Sequence, residues 1–190
     1  MKKLLAATTA LLLPMGAFAA DTYTLDASHS QIVFSYNHLG FSTTYGMFSG
    51  FEGEITFDTE NPAASSVTVS MPVSSMFTGW EQRDGHFLSP DLINAGENTL
   101  VSFTSTSIEV TGDDTALITG DLTFAGTTQE VVLDTKLNKV GANPVANGAD
   151  WAGFDATTTL KRSDFGVGMA APAVSDEVEV RISIEAQKQG

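Results

Sequence analysis

Residues 29–57 read HSQIVFSYNHLGFSTTYGMFSGFEGEITF, and this stretch decides the fold. Its first part alternates with the two-residue period of a β-strand. One face carries Ile32, Phe34, Tyr36 and His38, and the other face is also partly apolar. The alternation resumes after Gly40 and continues to Phe57, which predicts a bent pair of aromatic-rich strands. A strand with apolar groups on both faces is either buried in a core or part of a cavity wall, and this stretch leaves both open.

Similar alternating segments recur along the chain. They cover residues 23–25, 67–73, 100–110, 116–124, 131–137, 154–160 and 178–186. Within 100–110 the apolar positions change phase, which predicts a bulge near 105–107. The spacing of Trp80, Asp84 and Phe87 predicts one short helical turn, and Ser89 followed by Pro90 predicts the start of a second. About eight short strands with almost no helix indicate an all-β fold, either an antiparallel barrel or a sandwich.

The interior of such a barrel is the next question. With eight strands it is just wide enough to be filled by side chains or to hold one small ligand. Small residues lie on the predicted inward face, at Gly53, Gly120, Thr135, Ala156 and Thr158. Small inward residues leave space, although they also occur at bends and tapered ends. They favour a cavity over a solid core.

The first 19 residues have the features of a secretory signal peptide. Lys2 and Lys3 precede a short apolar run, and residues 17–19 fit the small-x-small rule of a cleavage site. We therefore expect a signal peptide at 1–19 and one domain at 20–190, with the mature protein soluble in the periplasm.

Composition excludes several classes of function. Without Lys2 and Lys3, seven basic residues stand against 23 acidic ones, so the net charge of 20–190 is −16. This argues against nucleic-acid binding and against adhesion to anionic lipid headgroups. The chain has no cysteine, which excludes disulfides and thiol catalysis. The three histidines lack metal-site spacing, and no phosphate loop, nucleophile elbow or dinucleotide fingerprint occurs.

Several short motifs occur in a characteristic order. They are YTLD at 23–26, HS at 29–30, HLG at 38–40, RDGHFLSPD at 83–91, FTST at 103–106, GDLT at 120–123 and RSDFG at 162–166. In this combination the chain resembles the YceI-like family of exported polyisoprenoid-binding proteins. It departs from the family pattern at 92–94 and 98–100, where relatives have an aromatic-rich run and a Tyr-Pro pair, and this affects one barrel mouth.

The resemblance implies an eight-stranded, lipocalin-like antiparallel barrel with one or two short helical turns and an elongated apolar tunnel. The tunnel would hold a polyisoprenoid lipid, such as a quinone tail or a polyprenol, for binding and transfer without catalysis or a cofactor. A transient inner-membrane partner and a homodimer are further expectations. We expect the ligand to be contacted by Ile32, Phe34, Tyr36, His38, Phe48, Phe51, Val69, Met71, Arg83, Asp84, His86, Phe103 and Leu122.

Some polar groups have two interpretations. His38 either binds a ligand head group or is a structural histidine. Arg83, Asp84 and His86 form either a lid or mouth network, or a local helix cap or salt bridge. Asp26, His29 and Ser30 lie within one turn, whereas the parts of a catalytic triad come from separate places in a fold. Arg162 and Asp164 are expected to form a structural pair at the base of the barrel.

Two other functions stay open at this point. One is an enzyme that acts on a lipid held in the tunnel, with His38 or the 83–86 segment as acid or base. The other is a stress-related exported protein that acts on a partner through its acidic surface.

Overall fold

The computed structural model describes residues 20–190, so the expected signal peptide lies outside the described residues. Ten strands and one helix make up the fold. The strands are β1 (Asp21–Leu25), β2 (Gln31–His38), β3 (Ser42–Phe48), β4 (Glu52–Phe57), β5 (Ser66–Pro72), β6 (Leu100–Val110), β7 (Thr115–Phe124), β8 (Thr127–Ala142), β9 (Asp150–Lys161) and β10 (Glu177–Lys188). The helix is α1 (Glu81–Leu88), and 3₁₀ turns cover Pro62–Ala64, Val73–Ser75 and Arg162–Phe165.

Eight of the strands close a ring. The order is β1-β4-β5-β6-β7-β8-β9-β10, and β10 pairs with β1 to complete it, all in antiparallel pairs. The eight-stranded antiparallel barrel is therefore confirmed. In the part of the chain that the structure describes, no helix is both long and apolar enough to cross a membrane.

One edge of β10 pairs with β9, and the other edge pairs with two different strands. Its last residues pair with β1, at Leu25 opposite Ala186, whereas its first half pairs with β2, at Phe34 opposite Val180. The β2–β3 hairpin therefore extends the sheet beside the ring at one end of the barrel. The outer edge of β3 meets the rest of the molecule through a bridge between Met47 and Phe77.

The stretch 29–57 forms three strands, and the expected bent pair is wrong. The chain reverses at Leu39 and Gly40, which both have positive φ, and Asn37 Oδ1 accepts a hydrogen bond from the Gly40 N–H at 2.7 Å. A second break follows at Gly50, also at positive φ. Alternation alone does not distinguish a bend from a hairpin, because the side-chain period continues on both sides of a tight turn.

Two local predictions have different outcomes. The bulge in β6 is confirmed, because the β6–β7 register shifts between Ser105 and Ser107. The second predicted helical turn is a single hydrogen-bonded turn, in which the Leu92 N–H donates to the Ser89 carbonyl at 3.1 Å. Ser89 itself ends α1 by donating its N–H and hydroxyl to the His86 carbonyl at 3.2 and 2.7 Å. The following turn folds back on the helix, with the Ile93 N–H donating to the Phe87 carbonyl at 3.1 Å.

The barrel is solid at the end where β1 closes the ring. Tyr23, Leu25, Phe57, Ala152 and Ala186 are buried there. Phe57 lies edge-on to the Tyr23 ring, with centroids 6.2 Å apart, and to the Phe154 ring at 5.5 Å. These rings fill the barrel between small alanines, and we call this region the closed end.

Candidate ligand cavity

A cavity of about 720 Å³ occupies the rest of the barrel interior. Alternate residues of neighbouring strands form its wall, as the two-residue period of a strand requires. They include Ile118 and Leu122 of β7, Leu133 and Thr135 of β8, Phe154, Ala156, Thr158 and Leu160 of β9, and Val178, Val180, Ile182 and Ile184 of β10. Several of these side chains are only half-buried although they point inward, because they face the cavity.

The cavity opens at the end opposite the closed end. The β2–β3 hairpin contributes His38, Ser42 and Thr44 to this mouth. The 80–87 segment contributes five further side chains, which include the guanidinium of Arg83 and the imidazole of His86. The third side of the mouth is the segment 167–174. The mouth thus carries basic and polar side chains, while the wall is built mainly of aliphatic and aromatic groups with a few hydroxyls such as those of Thr135 and Thr158.

The structure places twelve of the thirteen predicted ligand-binding residues on the cavity lining. Phe34 and Tyr36 point inward, as the opening stretch predicts, and the Tyr36 ring lies 6.0 Å from that of Phe87 on α1. Their position agrees with the expected role, and ligand contact by these residues stays a prediction.

Asp84 is the exception, because it lies outside the cavity lining. Its carboxylate accepts hydrogen bonds from the Thr78 N–H at 2.9 Å and from the Thr78 hydroxyl. Arg83 donates to the same residue, from Nε to Oγ1 at 2.8 Å and from NH2 to the carbonyl oxygen at 2.5 Å. This network holds the Thr78 segment against the first turn of α1, so Asp84 has a local structural role, while Arg83 both supports this segment and borders the mouth.

Two of the small residues predicted to leave space do something else. A side chain at Gly120 would place its Cβ 2.5 Å from the Phe103 ring and from the Thr104 carbonyl oxygen. At Gly53 it would lie 2.2 Å from the Thr68 carbonyl oxygen. These glycines permit close approach of a ring or a backbone instead of creating space. Thr135, Ala156 and Thr158 do border the cavity.

The Asp26–Ser30 turn carries no triad. His29 Nδ1 lies 2.5 Å from Asp26 Oδ2, but the Ser30 hydroxyl points to the Glu185 carbonyl at 3.4 Å. The hydrogen bond to Asp26, helped by its negative charge, raises the pKa of His29 above 6.5. Partial burial alone would raise the pKa of Asp26, but hydrogen bonds from His29 and Ser28 lower it below 3.8.

This turn and β10 bring together three side chains that could bind a metal ion. Asp26, His29 and Glu185 hold potential ligand atoms within 4.8 Å of one another. None of the three lines the cavity.

The predicted pair of Arg162 and Asp164 at the base of the barrel is wrong in both partner and place, because Arg162 lies beside the mouth. The Arg162 guanidinium instead donates to the carbonyls of Val167, Met169, Val174 and Ser175 at 2.8 to 3.2 Å. Backbone acceptors in this tight segment need donors, and a guanidinium supplies several in one plane. Arg162 therefore holds the segment 167–175 against the barrel and shapes one side of the mouth.

Sequence reasoning missed part of the mouth. Trp80, Met169, Ala170 and Val174 border it but lie outside the strands. The spacing of Trp80 predicted a helical turn but not a mouth. No periodicity marks Met169, Ala170 and Val174, and the available signal for them was that the RSDFG motif leads into their segment.

The YceI-like domain family model matches residues 23–186. The chain belongs to this family. A UPF0312 protein of Pseudomonas paraeruginosa is 41% identical over 194 residues, with 100% of both chains covered. The family resemblance inferred from the motifs is confirmed.

Solved structures support the fold. The crystal structure of Burkholderia cenocepacia BcnA matches with a TM-score of 0.76 at 24% identity, covering 85% of this chain and 99% of that chain. A polyisoprenoid binding domain from Saccharophagus degradans, implicated in plant cell wall breakdown, matches with a TM-score of 0.68 at 13% identity, covering 90% and 100%. At these identities the likeness shows a shared barrel.

Proposed function

We propose that this protein binds a polyisoprenoid lipid, a quinone or polyprenol, in its cavity and carries it through the periplasm without changing it chemically. The observation that supports this most directly is the distribution of groups in the cavity. Aliphatic and aromatic side chains form most of the wall, where Thr135 and Thr158 are polar, and His38, Arg83 and His86 lie at the mouth. A branched hydrocarbon tail with a single polar head group has the same distribution.

The energetics fit a carrier. At ~0.3 kcal/mol per heavy atom, each five-carbon unit contributes roughly 1.5 kcal/mol relative to water. A bilayer dissolves the tail nearly as well as the cavity does, so the preference for protein over membrane is small. Loading and unloading then both occur readily.

The mouth offers donors to a head group. His38, Arg83 and His86 border it from two sides, on the hairpin and on α1. A quinone carbonyl or an alcohol oxygen accepts hydrogen bonds of the kind that these side chains donate. We place the head group at the mouth and the tail along β7 to β10.

The experiment is native mass spectrometry of the protein as purified, followed by organic extraction and lipid analysis. We expect a co-purified isoprenoid, or uptake of one equivalent of a quinone or polyprenol by delipidated protein. A linear fatty acid of equal carbon number is the matched ligand control. A protein that is free of lipid and takes up neither isoprenoid would contradict the proposal.

The location is tested separately. The twin lysines and apolar run at the start of the chain support export, with cleavage after Ala19. We expect the protein in the periplasmic fraction with Ala20 as its first residue. N-terminal sequencing that begins at Met1 would contradict this location and leave the ligand proposal standing.

An enzyme remains the second candidate because two histidines border the mouth. It requires His38 or His86 to exchange a proton with the ligand. Chemically unaltered isoprenoid after prolonged incubation argues against it, whereas a product that disappears in His38→Ala or His86→Ala would establish it.

A further inference from the structure

The tip of the β2–β3 hairpin exposes large apolar side chains. Phe41 is 88% exposed and Leu39 is 47% exposed. The Leu39 N–H donates to the Ala173 carbonyl at 3.1 Å, which holds the tip beside the segment 167–174. His38 and Ser42, which flank the tip, line the cavity. The exposed side chains are therefore next to the cavity mouth.

Two further exposed apolar residues border the same mouth. Trp80 is 56% exposed and Met169 is 47% exposed, and both line the cavity. Arg83 lies 5.9 Å from the centre of the Trp80 ring. We call Leu39, Phe41, Trp80 and Met169 the rim patch. Four large apolar groups around one opening differ from the single exposed apolar residues that are normal on any protein surface.

The charge pattern indicates which kind of surface the rim patch contacts. Residues 27–51 contain no Asp, Glu, Lys or Arg, although the chain has 23 acidic residues in all. The molecule as a whole is acidic and is repelled by anionic lipid headgroups, whereas the hairpin carries no charged side chain and adds nothing to this repulsion. Tryptophan with a neighbouring arginine is also a combination that suits a membrane interface.

We propose that the rim patch docks on the surface of a phospholipid bilayer with the cavity mouth facing the membrane. Phe41 and Leu39 insert between headgroups, and Trp80 lies at the headgroup level. An isoprenoid tail then passes between bilayer and cavity without crossing water. The purpose of the docking rests on the proposed function, but the docking itself is tested without any isoprenoid.

The two tryptophans provide a test with a built-in control. Trp80 is at the mouth, and Trp151 is at the start of β9, away from it. Trp151→Phe leaves Trp80 as the reporter and loses no hydrogen bond, because the Trp151 indole N–H has no partner among the described residues. With phosphatidylcholine vesicles, we expect the emission of Trp80 to shift to the blue and to be quenched by brominated lipid. In Trp80→Phe, the emission of Trp151 should not change.

Matched substitutions test the site on the protein. Phe41→Asp should weaken partitioning into phosphatidylcholine vesicles at least about tenfold, because the phenyl group that docking would bury in the bilayer is lost. Val145→Asp is the control, since Val145 is 91% exposed and lies in the loop between β8 and β9. On vesicles that contain phosphatidylglycerol, binding should strengthen as salt is added, because screening reduces repulsion of the acidic protein.

The outcomes separate the two proposals. If Phe41→Asp and Val145→Asp partition equally, or if Trp80 shows no shift, the docking proposal is overturned, while isoprenoid uptake can still establish the proposed function. If the Trp80 shift occurs without any isoprenoid uptake, docking stands and the proposed function fails. If light scattering shows a dimer that Phe41→Asp converts to monomers without vesicles, the rim patch is a subunit interface and docking is overturned.

Discussion

The two ends of this barrel are built from the same alternating strands, yet one is solid and the other is hollow. At the closed end, β10 pairs with β1, and the interior is filled by Tyr23 and Phe57. At the mouth, β10 pairs with β2, and the hairpin, α1 and the segment 167–174 surround an opening. The same strand therefore contributes to a core and to a cavity wall within twelve residues.

The difference lies in residue size on the inward face. Near the closed end the inward residues Ala152 and Ala186 are small and fully buried, which lets aromatic rings from β1 and β4 pack against them. Towards the mouth the inward residues of β10 are branched aliphatics such as Ile182, and they line the cavity. Side-chain packing thus fills one end of the barrel, and the other end is left open as a cavity.

The strongest test compares truncations at the two ends. Phe57→Ala should lower the free energy of unfolding by about 3 to 5 kcal/mol, because it opens a cavity in a solid core. Ile182→Ala should cost about 2 kcal/mol or less, since one side of Ile182 already borders empty space and has fewer contacts to lose. Urea denaturation of both variants measures this. Equal losses would mean that the cavity is collapsed in solution.

A second test concerns glycine on the wall. Gly120→Ala should cost about 1 to 3 kcal/mol, because the new Cβ has no room between the Phe103 ring and the Thr104 carbonyl. Gly85→Ala is the matched control in α1, where nothing lies within 4 Å of the added Cβ. There we expect a gain of about 0.5 to 1 kcal/mol from helix propensity. A neutral Gly120→Ala would show that Phe103 moves freely into the cavity.

These residues illustrate how much of the molecule was predictable from sequence. Alternation predicted the strands and the bulge near Ser105, because strand periodicity is a local property of the chain. It also placed Phe34 and Tyr36 on one face, which the structure turns inward. It did not reveal that Gly120 lies under Phe103, because the contact is set by the register between β6 and β7.

The mouth was the least predictable region. Asp84 was predicted to contact the ligand, and Arg162 was predicted to pair with Asp164. Both instead form hydrogen bonds with backbone groups of irregular segments. Such partners depend on how a non-repetitive chain folds back, and no period encodes that. The pairing of β10 with β1, which closes the ring, and with β2 is likewise long-range. The paired residues are about 150 positions apart in the chain.

A third test changes binding while leaving the fold intact. Thr158→Phe places a ring in the cavity, and Thr159→Phe places the same ring on the outside of β9. We expect Thr158→Phe to weaken uptake of a polyprenol about tenfold, equivalent to about 1.4 kcal/mol, and Thr159→Phe to leave it unchanged. Fluorescence titration with a soluble short-chain polyprenol measures both. If the two variants bind alike, the ligand does not lie along β9.

The smallest effect is expected at the junction of the two ends, where β10 changes partner from β1 to β2. His29 is exposed there, and its hydrogen bond with Asp26 raises its pKa above 6.5. Because the folded-state pKa of His29 is raised, its ionisation stabilises the fold fully below the unfolded pKa of 6.5. This stabilisation is lost as the pH rises through the folded-state pKa.

Titration of the His29 ring by NMR should therefore give a pKa above 6.5, and Asp26→Asn should lower it toward that value. Because the pair is solvated, the urea midpoint should fall only slightly between pH 6 and pH 8 in the parent protein (roughly the range in which histidine titrates), and this decrease should be absent in Asp26→Asn. A His29 pKa at or below 6.5 in the parent protein would show that the turn does not hold β1 and β2 at the junction through this pair.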